Sequence, residues 1–232
     1  ELEKAIQFDN VVEVEKFLKR GLDVNATNED GFRLIELAIH TRKTFEFLVA
    51  QGADVKAPTK IGNYGYLLHL IATQGNQYGP SIEKAKLLVA KGADVTSRNS
   101  YGETPLHIAA SREYGVPMAK FLLSKGADIN AIDHNAESPV HWAAGLGCFD
   151  CVVFLHANGA QIDLKNNKGD TPLLKVVKSG RINMGPILEF LIKNGADTSV
   201  KDMNGLTPLQ LVEGKAHRAD LAIVLQKYQS QH

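Results

Sequence analysis

The strongest constraint on this chain is a ruler built into it. A Gly-Ala-Asp step, or a near copy, stands at Gly21-Leu22-Asp23, Gly52-Ala53-Asp54, Gly92-Ala93-Asp94, Gly126-Ala127-Asp128, Gly159-Ala160-Gln161 and Gly195-Ala196-Asp197. Successive glycines are 31, 40, 34, 33 and 36 residues apart. Ten residues after each comes a second turn position, at Gly31, Gly62, Gly102, Ala136, Gly169 and Gly205. A spacing of ten that never varies, inside a period that does, predicts a short hairpin-like finger joined to segments of adjustable length.

A helix start follows each second turn. In Thr104-Pro105-Leu106-His107 the threonine is a natural N-cap, and the proline occupies the first helical position, where its missing N–H costs nothing. His107 falls at the third position and can reach back to the cap, as a capping-box side chain does. Ser138-Pro139-Val140-His141, Thr171-Pro172-Leu173-Leu174 and Thr207-Pro208-Leu209-Gln210 repeat the pattern. Arg33-Leu34-Ile35-Glu36 and Tyr66-Leu67-Leu68-His69 are weaker copies. A second helix follows each, with apolar residues at helical spacing such as Phe45, Leu48 and Val49, or Leu188, Leu191 and Ile192. The next Gly-Ala-Asp glycine then ends it as a left-handed cap.

Two motifs recurring in register over the full length resemble the ankyrin repeat, with its 33-residue period and Thr-Pro-Leu-His start. The resemblance implies an all-α repeat solenoid, a stack of helix-turn-helix units joined by hairpin-like fingers. It reads as one domain, 1–232, with repeats near 1–25, 26–56, 57–96, 97–130, 131–163, 164–199 and 200–230, the outer two incomplete. Each pair is too short to stand alone in water, so stacking must supply its stability. The end copies are expected to be polar outside, through Glu1, Glu3, Lys4, His217, Arg218 and Asp220. The chain begins at a helix start without Met or a finger, as expected of a fragment, or a processed product, of a longer protein.

Departures from the pattern carry their own expectations. The third copy has extra residues at Asn63-Tyr64-Gly65 and a long inter-helix turn from Thr73 to Ser81. The fourth and sixth copies enlarge the same turn, at Glu113–Pro117 and Gly180–Pro186. These turns project opposite the fingers and read as tolerated insertions, or as a second contact edge built around Tyr78 and Tyr114. The second copy is short around His40–Lys43 and lacks the Thr-Pro cap, so the stack between copies two and three is expected to be the least regular and least stable. Ala136 stands where a positive φ is expected.

Lys+Arg 26 against Asp+Glu 26 leaves no net charge, which argues against a general nucleic-acid or anionic-membrane binder. Apolar runs are too short to insert into a bilayer. Cys148 and Cys151 make no disulfide framework and fit a reducing compartment, which places the chain in the cytosol or nucleus. Their C-x-x-C spacing can mark redox or zinc chemistry, but no second pair completes a metal site, and a structural role is preferred. His69, His107 and His141 recur at one helix position and read as links between finger and helix. Trp142 occupies a position held elsewhere by Leu37, Leu70, Ile108 and Leu211 and reads as core. No phosphate-cradling, nucleophile-elbow or zincin motif is present, and no catalytic residue, metal or cofactor is expected.

In ankyrin proteins the concave face of inner helices and fingers binds folded proteins or peptides, and the resemblance implies a non-catalytic interaction module here. Specificity is written at finger tips and on exposed first-helix residues. Mapped onto this chain, these are Phe32, Tyr101, Glu103, His134, Glu137, Asn167, Asp170, Met203 and Leu206 on the fingers, with Arg112, Leu146 and Lys178 on first helices. Tyr101, Arg112, His134 and Met203 lead, because aromatic and arginine side chains dominate interfaces and methionine adapts to them. The expected partner is a protein or peptide met by a monomeric chain. The alternative is the substrate-recognition or targeting domain of a larger enzyme, channel or secreted effector.

Overall fold

The computed structural model describes residues 1–62, 65–73, 81–213, 215 and 218–229. Among these, fourteen α-helices fall into seven successive pairs. The first three pairs are α1 (Leu2–Gln7) with α2 (Val11–Lys19), α3 (Leu34–Leu37) with α4 (Lys43–Ala50), and α5 (Leu67–Thr73) with α6 (Ser81–Ala90). Then come α7 (Pro105–Ala110) with α8 (Val116–Ser124), and α9 (Pro139–Leu146) with α10 (Phe149–Ala157). The last are α11 (Pro172–Lys178) with α12 (Gly185–Lys193), and α13 (Pro208–Val212) with α14 (Ala219–Gln229). The described fingers form no named strand; their only ladder element is an isolated antiparallel bridge between Thr27 and Arg33. By internal contacts the chain divides into two compact units, Glu1–Pro105 and Leu106–His232.

The ruler has a direct physical cause. After each second helix the Gly-Ala-Asp glycine takes φ between 90° and 95°, at Gly21, Gly52, Gly92, Gly126, Gly159 and Gly195. The amide that follows it returns to a carbonyl five residues back, as Ala53 does to Leu48 (3.0 Å) and Ala160 to Leu155 (3.0 Å). That closes the helix end with its last carbonyls satisfied. In five of the copies the finger tip is then shut by a buried or half-buried Asn or Asp. The side-chain oxygen of Asn99 accepts the amides of Tyr101 (2.9 Å) and Glu103 (3.0 Å). Asp133, Asn166 and Asp202 do the same two and four residues on. Asn28 accepts the Phe32 amide (2.9 Å). Ala136 adopts φ 58° at the turn, as its place in the ruler predicts.

In the first unit α1 packs on α2 and α3, and α2, α4 and α6 line up behind. The second copy is irregular as expected: α3 spans four residues and tightens into a 3₁₀ turn at Ala38–His40. Its repair was not legible in the motif. Glu36, 1% exposed, stands where other copies place histidine. Its carboxylate accepts the Arg33 amide (2.9 Å) and the Lys60 amide of the next finger (3.2 Å), and pairs with the Arg33 guanidinium (3.0 Å). Arg33 in turn donates to the carbonyls of Asp54, Ala57 and Pro58. Asp9, from the turn of the first pair, caps α4 through the amides of Lys43 and Thr44. These hydrogen bonds outweigh burial and hold its carboxyl below the usual range. Lys84 of α6 is buried, donating to the Ile39 carbonyl and lying 5.2 Å from the Phe45 ring centroid.

In the second unit α9, α11 and α13 stack as one layer, and α8, α10, α12 and α14 as the other. Leu106, Leu122, Leu155, Leu173, Leu188 and Leu191 are fully buried between them. Each such side chain contributes roughly 1.5–3 kcal/mol relative to exposure, far more than the intrinsic stability of a six- to nine-residue helix. The enlarged turn before α8 is not loose surface. A Cβ on Gly115 would stand 1.7 Å from the Ala109 carbonyl oxygen, so only glycine fits this close approach.

Several expectations need correction. Cys148 and Cys151 are joined by a disulfide across the first turn of α10, and with the pair bonded they no longer argue for a reducing compartment. The bond joins residues three apart in sequence and bridges no two elements, so the absence of a disulfide framework stands. Of the residues expected on polar outer faces, Glu1, Glu3, Lys4 and Asp220 are exposed, but Arg218 is buried. Phe8, Val12 and Ile223 are exposed on the same end copies. Tyr114 is exposed, whereas Asn63, Tyr64, Tyr78 and His217 lie outside the described residues.

Two stability predictions follow from the local chemistry. Replacing Glu36 by alanine leaves the Arg33 charge and two finger amides unmet, and urea denaturation should show a loss of about 3–5 kcal/mol. Replacing Ala136 by glycine relieves a left-handed backbone and should raise the melting temperature, by on the order of 1 kcal/mol of stability.

Candidate partner-binding site

The repeating histidines set the distance between inner helices and fingers. His69 places Nε2 2.9 Å from the Glu103 carbonyl, His107 2.9 Å from that of Glu137, and His141 3.1 Å from that of Asp170. All three rings are fully buried. A carbonyl accepts only, so each ring carries its proton on Nε2. At His141 the opposite nitrogen, Nδ1, accepts the Ser138 amide (3.1 Å) and lies 2.8 Å from the Ser138 hydroxyl. The amide can only donate, so the nitrogen it meets carries no proton. These residues hold the scaffold together, as their recurrence implied.

Residues just before the cap share that scaffold role. Glu103 binds the Asn99 amide (2.6 Å), and Glu137 binds Asn166 (2.8 Å) and Lys175 (2.7 Å). Asp170 is 5% exposed and pairs with Lys178 at 2.6 Å, while Lys178 also reaches Asp202 at 3.0 Å. Burial works against the Lys178 charge, but the two carboxylates hold its pKa above the ordinary value, and Asp202 is held below its own. Asp170 and Lys178, expected as free surface groups, are therefore bound to each other.

The finger tips proper are open. In the first unit Tyr101 is 50% exposed and Phe32 half-buried. In the second unit Met203 is 73% exposed, Leu206 39%, and His134 and Asn167 are also exposed. Asn167 donates to the His134 carbonyl (3.0 Å), tying adjacent tips together. Arg112 and Leu146 are exposed at the ends of their helices.

Between fingers and inter-helix turns the second unit carries a recess of about 740 Å³ whose lining includes Glu137, His141, Trp142, Leu146, Lys175 and Arg181. An adjoining recess shares Trp142, Leu146 and Arg181 and reaches Arg112, Glu113 and Cys148. Trp142 is thus not a core residue. It is half-buried, its indole N–H donates to Asp133 (3.2 Å), and it lies edge-on to His107 with ring centroids 5.9 Å apart. The missed signal was spacing: Trp142 stands four residues before Leu146, so exposure of one places the other on the same helix face. Arg181 was missed because it belongs to an enlarged turn read as a separate edge. Among the described residues no cluster of three or more His, Cys, Asp or Glu side chains could hold a metal ion, and no helix is long and apolar enough to cross a membrane.

The family model for ankyrin repeats matches three overlapping stretches, residues 40–133, 68–166 and 140–228. The chain belongs to the ankyrin-repeat family. It is also similar to an intracellular phospholipase A2 of Caenorhabditis elegans, with 34% identity over 96 residues. That match takes in 39% of this chain and spans 9% of the relative's length. Ankyrin repeats generally mediate contacts between proteins and are typically non-catalytic.

The His141 environment yields a pH prediction. Burial, the dominant effect, holds its pKa below 6.5 in the folded chain. The unfolded chain then binds more protons in mildly acidic solution. This group's stabilisation is complete above about pH 6.5 and is lost as pH falls through the lowered folded-state value. The urea midpoint should drop between pH 7 and pH 5. The drop should be shallower in His141→Gln, although that variant starts from a lower midpoint at pH 7.

Proposed function

We propose that this chain is a protein-interaction module that holds a protein or peptide partner with its finger tips and the exposed side of its first helices. The observation that carries the reading is the exposure of Tyr101, Met203 and Leu206 at finger tips whose backbone is already closed by Asn99 and Asp202. Large apolar side chains there do nothing for the core, and such side chains are what interfaces use as anchors. Phe32, His134, Asn167, Arg112 and Leu146 supply further exposed or part-exposed contacts. Glu103, Glu137, Asp170 and Lys178 act through the finger shape they fix.

A second reading is favoured by the phospholipase relative, whose length greatly exceeds the match. There the repeats form the recognition segment of a larger enzyme and position a substrate for chemistry elsewhere. The relative's description as intracellular favours a cytosolic or nuclear setting.

Both readings require the same surface. A combined Tyr101→Ala, Arg112→Ala, His134→Ala variant should fold normally by circular dichroism and lose at least tenfold in affinity for a native partner captured by crosslinking. Full affinity in that variant would remove the finger-face assignment.

A further inference from the structure

The recess over Trp142 and Leu146 has a composition that the finger-tip reading does not use. Its floor is apolar: the indole of Trp142 is half-buried and Leu146, one turn on, is 38% exposed. Its acidic side chains on the finger side are already engaged, Glu137 by Lys175 and Asp170 by Lys178. The basic residues Lys168 and Arg181 line it as well, and neither forms an ion pair among the described residues. Arg112, lining the adjoining recess, is likewise without a carboxylate. Across the two recesses three cations, Arg112, Lys168 and Arg181, stand against Glu113 and the one carboxylate charge left over where Lys178 is shared by Asp170 and Asp202.

The backbone at Arg112 is fixed, and the Arg181 side chain starts beside the end of α9. The Arg112 carbonyl accepts the Gly115 amide (2.9 Å), at a glycine that no larger residue can replace. Both sulfurs of the Cys148–Cys151 disulfide lie 3.2 Å from the same carbonyl oxygen. Gly147, at φ 87°, ends α9, and a Cβ there would meet the Arg181 side chain at 3.9 Å, so α9 ends against that arginine.

We propose that this recess takes an acidic segment of a partner protein, seating a bulky apolar side chain on Trp142 and Leu146 and carboxylates against Arg112 and Arg181. Arginine offers paired donors that match a carboxylate, and an aromatic floor between two of them suits a leucine or phenylalanine flanked by Asp or Glu. A recess of about 740 Å³ holds a few side chains of a peptide rather than a folded surface. A nucleic acid fits less well, because the cations are few, separated by an apolar floor, and set in a chain of zero net charge. The proposal rests on the chain being an interaction module and adds the chemistry of what one part of it binds.

Trp142 is the chain's single tryptophan, so its fluorescence reports on the recess directly. A random peptide library panned on the intact chain should enrich sequences with Asp or Glu flanking a large apolar residue. A synthetic peptide of the type Asp-Glu-Leu-Phe-Asp-Glu should change Trp142 fluorescence saturably. Its affinity should fall at least tenfold when its acids become amides, and tenfold or more for the Arg112→Glu, Arg181→Glu double variant. Arg112→Gln with Arg181→Gln serves if charge reversal disturbs folding. A finger-tip variant (Tyr101→Ala, His134→Ala, Met203→Ala) should bind the peptide within about twofold of the parent. Enrichment of neutral, basic or no peptides, binding indifferent to both arginine variants, or binding only to phosphorylated peptides or nucleic acid would overturn the proposal. If the finger-tip variant loses its native partner while the arginine variants keep it, the interaction-module reading survives and the acidic-segment site does not.

Discussion

A polar bond from a first helix to the next finger, made in five successive copies, is the interaction on which the rest of the chain depends. Short helices packed by leucines would slide without it, since apolar contact is non-directional. The link is made by Glu36 to the Lys60 amide, then by histidine Nε2 to the carbonyls of Glu103, Glu137 and Asp170. In the sixth copy Leu174 replaces histidine, and the task passes one turn along the helix to Lys178, which joins Asp170 to Asp202. The chemistry changes from carboxylate to imidazole to ammonium while the connection is kept. An unmet polar group at these buried positions would cost about 1–3 kcal/mol, enough to make each link decisive for its neighbours.

Much of this was legible in the sequence because turns are written in residues with few alternatives. Glycines at a fixed offset, a Ser or Thr before proline, and a histidine two residues after the proline each admit one local geometry, and all agree. What stayed hidden depends on contacts between distant positions. Nothing local distinguishes Glu36 as a stand-in for histidine until Arg33 and Lys60 are seen beside it. Asn99, Asp133, Asn166 and Asp202 look like ordinary loop residues, and only the paired amides at two and four residues on show why they recur. Trp142 was misplaced because equivalence to Leu70 and Ile108, both buried, said nothing about how much of a larger side chain would protrude.

The same contrast separates the two parts of the proposed recognition surface. The exposed tips Tyr101 and Met203 could be located from the repeat, whereas Glu103, Glu137 and Asp170, mapped with them, are engaged within the scaffold. The recess could not, because it draws on three different turns and on which carboxylates are already spoken for. Asp170 and Lys178 illustrate the point: both were read as surface groups, yet they pair with each other, and Lys178 also serves Asp202. The positive character of the recess comes from Arg112, Lys168 and Arg181. An enlarged turn that seemed a separate feature supplies one of these.

The direction of the linking bonds gives the stack a polarity. Glu36, His69, His107 and His141 each hold out a buried group to the finger after their own helix, whereas five of the fingers are closed by their own Asn or Asp. A cut after α6, α8 or α10 would leave the imidazole of His69, His107 or His141 without its carbonyl, and a cut just past the following finger would keep it. The physical unit runs from one helix start through the following finger, offset from the unit that sequence spacing suggests. Excision, grafting or extension of copies has a natural seam at that place. During synthesis from the N-terminus, every newly made finger locks the copy already formed.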